Sequence, residues 1–508
     1  MDSVAARISA TGIAVACMIL TGCGSDSESA TLGTGTDRGT LLYDPPFRIA
    51  SLDAATFNSQ LAGTGAGLQL IAVAGAPRCG VDFYHLEYNT VGGAGETATA
   101  SGALLVPTGA APNCSGPRPI VLYAHGTQSD KTANLADITN PNNTEGALIA
   151  TMFAAQGYIV VAPNYAGYDT SSLPYHPFLV GDQQAKDMID ALTAARTALP
   201  STASSATSDN GKLFITGYSQ GGYVAMATHK ALQAAGVAVT ASAPMSGPYA
   251  VEAFGDAIFL GHVNIGSTEF AALVAGGYQN SYRNVYATPG DLFEPAYTGA
   301  AGLLPSATPL STLFANGALP RTALFSSTTP VTGDATLDAV LAVPADPVFS
   351  LGFGPSNLVT NSYRLQYAMD ALANPDGAVT TPPQAGVPLA ASPQHPLRMD
   401  LKENDMRTWT PQSPMLLCGG DQDPTVFFSV NTQTMQAFWS ALPPGLITVL
   451  DVNEAPGAGD PFAPVKVGFA AALAALLASG GPSAVVANYH IAVAPFCTVA
   501  ARSFFSQF

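Results

Sequence analysis

Charge is scarce in this sequence. Asp, Glu, Lys and Arg make up 10% of the 508 residues, whereas apolar residues make up 47%. A disordered chain shows the reverse balance, so this one buries a large core. Basic residues are scarcer still. Eighteen Lys and Arg face 35 Asp and Glu, for a net charge of −17, and there is no basic run. This excludes a nucleic-acid partner, because phosphate contacts need clustered Lys and Arg. Tight metal-ligand spacings are missing as well: H-E-x-x-H and paired C-x-x-C do not occur. No G-x-G-x-x-G stands at a strand–helix turn, so no nicotinamide or flavin site is implied. The expectation is therefore no metal and no cofactor.

The N-terminus looks like an export leader. Arg7 precedes an apolar stretch over 13–20 that is too short to span a bilayer. The stretch ends in Leu20-Thr21-Gly22-Cys23, which resembles the bacterial lipoprotein box. Residues 1–22 are thus expected to be a signal peptide, Cys23 a lipidation site and 23–45 a small, polar linker. An ordinary secretory signal with an incidental Cys is the competing reading. The protein would then be exported, either secreted or held on the cell-envelope membrane by its lipid. Another apolar stretch, 468–477, is short and reads as a buried helix. Cys17 and Cys23 fall in the leader. Cys79, Cys114, Cys418 and Cys497 remain, an even number in a compartment that permits disulfides.

The rest of the chain alternates strands with helices. Residues 83–88 and 97–106 alternate as strands around a Gly-rich turn at 91–95, which predicts a hairpin. Apolar runs at 119–124, 158–162, 212–216 and 239–245 read as buried parallel strands. Helical stretches at 147–155, 183–199 and 222–235 separate them. The alternation stops between about 247 and 395, then resumes with strands at 414–418 and 447–451 around a helix at 431–442. This predicts an α/β fold, a mostly parallel sheet flanked by helices. Its core is split into 46–247 and 396–508 by an inserted cap at 248–395.

The sharpest chemical signal is Gly217-Tyr218-Ser219-Gln220-Gly221, between a strand and a helix. A Ser on such a turn needs small flanking residues, and the turn lifts its hydroxyl above the sheet. The helix N-terminus then offers N–H groups to a developing oxyanion. This placement favours Ser219 as a nucleophile over a chance Gly-rich turn. His125-Gly126-Thr127 follows the strand at 119–124, where hydrolases of this class take one oxyanion N–H. The expected hole is the N–H groups of Gln220 and Thr127. An acid is expected after the strand at 414–418, in Gly420-Asp421-Gln422-Asp423-Pro424. Both Asp421 and Asp423 are candidates. The spacing from Gly420 to Val426 favours Asp423, and Asp421 then reads as a turn residue. Only His490 among the seven His follows the acid, as the chain order of this fold requires. It is expected in a loop before a final helix. The hairpin would bring Cys79 to Cys114, and the triad would bring Cys418 to Cys497.

Ala162-Pro163-Asn164-Tyr165-Ala166-Gly167-Tyr168-Asp169, Tyr175-His176-Pro177-Phe178 and Met188-Ile189-Asp190-Ala191 resemble the secretory lipase family of the α/β-hydrolase superfamily. His125-Gly126-Thr127 and the Ser219 pentapeptide agree with it. The resemblance is strong over about 119–248 and looser over 414–504. It implies cleavage of carboxylic esters, of small molecules or lipids, with Ser219, Asp423 and His490 at the triad positions. The stretch between acid and His is longer than the family's, with an added helix-like segment at 464–477. Two other readings use the same residues: an amide or peptide hydrolase, and a non-catalytic surface lipoprotein that keeps the fold as a binding scaffold.

Overall fold

The computed structural model describes residues 31–32, 37–204 and 206–508. The expected signal peptide and Cys23 lie outside the described residues, as does most of the expected linker. Its described end is not a free tether: Leu41 is buried, and Gly39 and Leu42 donate backbone hydrogen bonds to Asn89 and Glu87.

Nine strands form one sheet. In chain order they are β1 (Phe47–Leu52), β2 (Gly80–Val91), β3 (Thr97–Thr108), β4 (Gly116–Ala124), β5 (Ile159–Pro163), β6 (Thr207–Tyr218), β7 (Ala241–Met245), β8 (Met415–Gly419) and β9 (Ile447–Asp451). Their spatial order is β9-β8-β7-β6-β4-β5-β3-β2-β1. The six strands from β9 to β5 are mutually parallel, and β3, β2 and β1 are antiparallel additions. The centre is buried on both faces, which explains the continuous apolar runs. In β4, Ile120, Leu122 and Ala124 join the core on one face, while Val121 and Tyr123 join the core on the other. The chain is thus an α/β-hydrolase fold.

The β2–β3 hairpin is longer than expected, and the disulfide Cys79–Cys114 closes its open end. A second disulfide, Cys418–Cys497, ties β8 to the C-terminal helix. The helices α1 (Thr144–Met152), α2 (Gly181–Ala198) and α3 (Gln220–Ala234) stand near their expected places. Between β7 and β8 the regular structure is mostly helix, with α4 (Val251–Phe259), α5 (Ser267–Tyr282), α6 (Asn361–Ala373) and α7 (Pro396–Glu403) joined by long irregular stretches.

Two expectations need correction near the C-terminus. His490 is not in a loop: it lies within α8 (Ala463–Phe505), which breaks at Gly481 into two helices. Pro482 follows the break, and proline favours the first turn of a new helix, so the chain restarts its helix there. Nor is the stretch at 468–477 buried. Only 6% of the most apolar 18-residue window of α8 is buried, and Val467 and Leu477 are exposed. Taken as one element α8 is long and apolar enough to cross a membrane, but the break at Gly481 divides it and its second half packs into the core through Tyr489, Val493 and Phe496. Its first half packs on the second through Phe469 against Tyr489 and Phe496, and its opposite face is exposed among the described residues.

The scarce charges are partly spent inside. Arg398 of α7 is fully buried and donates at 2.8 Å to Asp256 of α4 and to Asp370 of α6. Arg364 of α6, also fully buried, donates to the carbonyls of Phe259, Val340 and Leu341. Arg407 bonds Asp376 and Asp405 in the same way. These guanidinium groups pin the inserted helices to one another. Arg398→Met would leave Asp256 buried without its counter-charge, with the Tyr367 hydroxyl as its remaining side-chain donor, at a cost of about 3–5 kcal/mol. Urea unfolding should read that loss, and adding Asp256→Asn should return part of it. A loss below about 1 kcal/mol would mean that the pair does not hold the insertion.

Candidate active site

The residues singled out for catalysis lie beyond the C-terminal edge of the parallel strands. Ser219 follows β6, Thr127 follows β4 by three residues and Asp423 follows β8 by four. Adjacent parallel strands bring these loops together, as open α/β sheets do at their carboxyl ends.

Ser219 has φ 60° and ψ −123°, a strained conformation for a side-chain-bearing residue. Its neighbours make the turn possible. A Cβ on Gly217 or Gly221 would stand 2.4 or 2.0 Å from the carbonyl oxygen of Ala124. Only glycine lets the turn press this closely on the end of β4, which pairs with β6 at Ala124–Gly217. α3 begins at Gln220, whose N–H therefore has no carbonyl one turn back within the helix.

The three triad candidates are hydrogen-bonded in line. His490 Nε2 lies 2.9 Å from Ser219 Oγ, and its Nδ1 lies 2.6 Å from Asp423 Oδ2. With Nδ1 donating to the carboxylate, Nε2 is left to accept from the Ser hydroxyl. The Asp423 side chain is 1% exposed, and its Oδ1 accepts the backbone N–H groups of Thr425 and Val426. Asp421 instead accepts from Asn453 Nδ2 at 2.7 Å, in an exposed setting. The structure thus brings Asp423 to His490 and leaves Asp421 to the turn.

Two supporting side chains were not assigned roles from sequence. The Tyr218 hydroxyl donates to the His490 carbonyl, joining the residue before Ser219 to the helix that carries His490. Burial pushes this phenol well above its ordinary pKa, so it stays a donor. His176 is fully buried, and burial lowers its pKa to about 3. Its Nδ1 donates to the Ala166 carbonyl at 2.9 Å, and its Nε2 accepts from Gln220 Nε2 at 2.7 Å. Tyr218 is the free position of its pentapeptide and carries no sequence signal. His176 stood in a family motif, but nothing there pointed to Gln220. The ring of His125 stacks on Tyr165 and lies between the carbonyl oxygens of Gly126 and Asn164, a structural role.

Thr127, Ser219 and Gln220 share the wall of a cavity between the sheet and the inserted helices. It holds about 990 Å³ of space, open mouth included, and its remaining lining is almost entirely apolar. Among the described residues, no group of three or more His, Cys, Asp or Glu could hold a metal ion.

Comparison with known proteins agrees with this geometry. Residues 134–242 match the model of the secretory lipase family. A rice cell wall degrading esterase, LipA from Xanthomonas oryzae, is 26% identical with a TM-score of 0.65, the alignment covering 93% of this chain and 99% of that one. A ligand-bound form of the same esterase gives 25% identity and a TM-score of 0.66, over 92% and 98%. A protein from Legionella pneumophila, 18% identical with a TM-score of 0.59 over 91% and 96%, shares the fold. No curated protein sequence matches the chain. With a secretory lipase match over 134–242 and an esterase as structural neighbour along nearly its whole length, the chain is a carboxylic ester hydrolase of the α/β-hydrolase fold.

Proposed function

We propose that the protein is an exported serine esterase that cleaves esters of apolar acids through an acyl-enzyme intermediate. The observation that carries this reading is the hydrogen-bonded series Ser219–His490–Asp423 opening into an apolar cavity. His490 Nε2 takes the Ser219 proton as Oγ attacks the ester carbonyl carbon. Asp423 holds the imidazolium through Nδ1–H. The N–H groups of Gln220 and Thr127 stabilise the oxyanion, and His490 returns the proton to the leaving alkoxide. Water, deprotonated by the same imidazole, then frees the acid. His176 holds the Gln220 side chain at the start of α3 and is a positioning residue in this scheme. The segment 248–395 acts as a cap that supplies the apolar wall for the acyl chain. The leader and Cys23 motivate export with a lipid anchor on the membrane, and the secretory lipase match supports export. Amide cleavage by the same residues, or a scaffold without catalysis, has no specific observation in its favour.

Ser219→Ala should retain the fold and lose ester turnover by on the order of 10⁴-fold or more. Asp423→Asn should cost roughly 10³ to 10⁴ in kcat, and Asp421→Asn far less. Steady-state kinetics on p-nitrophenyl esters, with circular dichroism as the folding control, read all three. A larger loss for Asp421→Asn would move the acid by two residues.

His176 generates a different expectation. Its folded pKa of about 3 lies below the ordinary 6.5, so on acidification the unfolded chain takes up the proton first. Its contribution to stability is complete above pH 6.5 and is lost as the pH falls toward 3. At pH 5 the loss is about 2 kcal/mol. His176→Gln should therefore lose less stability between pH 6.5 and 5 than the parent does, as read by urea unfolding. The same variant should lower kcat about tenfold, less than the loss of an oxyanion donor itself, with little change in KM.

A further inference from the structure

An apolar cavity and a polar, solvent-facing groove meet in the segment between β7 and β8. The apolar one begins at Ser219 and is lined elsewhere by Val285, Leu292 and Leu397. The other is polar, lined by Asn284, Asp291, Tyr363, Gln366 and His395. Val285 lines both. The same alternation recurs along the chain: Leu292 faces the apolar cavity and Asp291 the polar one, as do Leu397 and Pro396. At Val285 the two spaces therefore share a wall. The polar groove shares no lining residue with Ser219, Gln220 or Thr127.

We infer that Val285 is the end wall of the acyl pocket and sets the longest acyl chain the enzyme accepts. The inference rests on the esterase reading above and specifies its substrate. Val285 is 3% exposed and well anchored. Its carbonyl accepts from Tyr363 Oη at 3.1 Å. On one side, Asn284 Nδ2 bonds Asp400 Oδ1 at 3.0 Å; on the other, the Tyr286 N–H bonds Gln279 Oε1 at 3.2 Å. A β-branched side chain on so fixed a backbone has little rotamer freedom to swing aside. An acyl chain that reaches Val285 fills the apolar space. One methylene more meets a rigid wall, and a misfit of that size in an apolar pocket costs about tenfold or more. Behind the wall lies room rather than packed core, so trimming Val285 would give the chain a way onward.

The test is kcat/KM for p-nitrophenyl esters from acetate to palmitate, on the parent, Val285→Ala, Val285→Phe and the near-isosteric Val285→Thr. Each rate is normalised to active sites titrated with a short-chain alkylphosphonate and to that protein's own acetate ester. The parent should show a chain length beyond which kcat/KM drops about tenfold. Val285→Ala should move that drop to longer chains, Val285→Phe to shorter ones, and Val285→Thr should leave it in place. The same cut-off in parent, Ala and Phe proteins, or no cut-off in the parent, would overturn the inference while leaving the esterase reading intact. A parent that turns over no acetate ester and takes no phosphonate on Ser219 would instead remove the esterase reading, and this inference with it. Should one of the three variants fail to fold, as judged by titratable sites, the other two still decide, because they predict different directions.

Discussion

The contact on which the rest of the site depends is the approach of two glycines to one carbonyl. Gly217 and Gly221 lie so near the Ala124 oxygen that no side chain fits at either. That approach lets β6 turn directly into α3 while β6 and β4 stay paired to their ends. It fixes Ser219 at positive φ, starts α3 directly after it and sets the loop of Gly126 and Thr127 beside it. The strain at Ser219, on the order of 1–3 kcal/mol for such a conformation, is offset by the buried strands on either side. Asp423 and His490 then need only be delivered to a point already determined.

That delivery explains what was legible in the sequence. The Ser219 turn depends on residues within a few positions of one another, so its geometry could be read locally. Asp423 and His490 could be named because chain order in this fold is restrictive, and Asp423 could be preferred to Asp421 from spacing. The setting of His490 could not be read. Gly481 and Pro482 look like a terminator, yet the helix restarts and carries His490 on it. Nor could the exposure of 468–477 be foreseen, because an apolar run does not reveal whether a partner covers it. The inserted helices gave no signal because their order depends on Arg364, Arg398 and Arg407 reaching across the chain to carbonyls and carboxylates, pairings that no local pattern encodes.

The distribution of charge has a related logic. A chain with 10% charged residues places several of them where solvent does not reach. Inside the insertion they provide directional contacts that apolar packing lacks, since a guanidinium fork accepts partners only in its plane. The apolar cavity needs walls that do not collapse onto it. Helices held by directional bonds from behind can present Val, Leu and Phe to an empty space without closing it.

The disulfide Cys418–Cys497 closes a loop in which both Asp423 and His490 lie. Cutting the chain anywhere between those two residues would therefore leave them on fragments that remain one covalent molecule. The exposed loop between β9 and α8, residues 454–459, lies between Asp423 and His490 and is open to a protease. A molecule nicked there would run as two pieces only after reduction. Its Asp423–His490 pair would still be held together by a bond that digestion of the peptide chain does not touch.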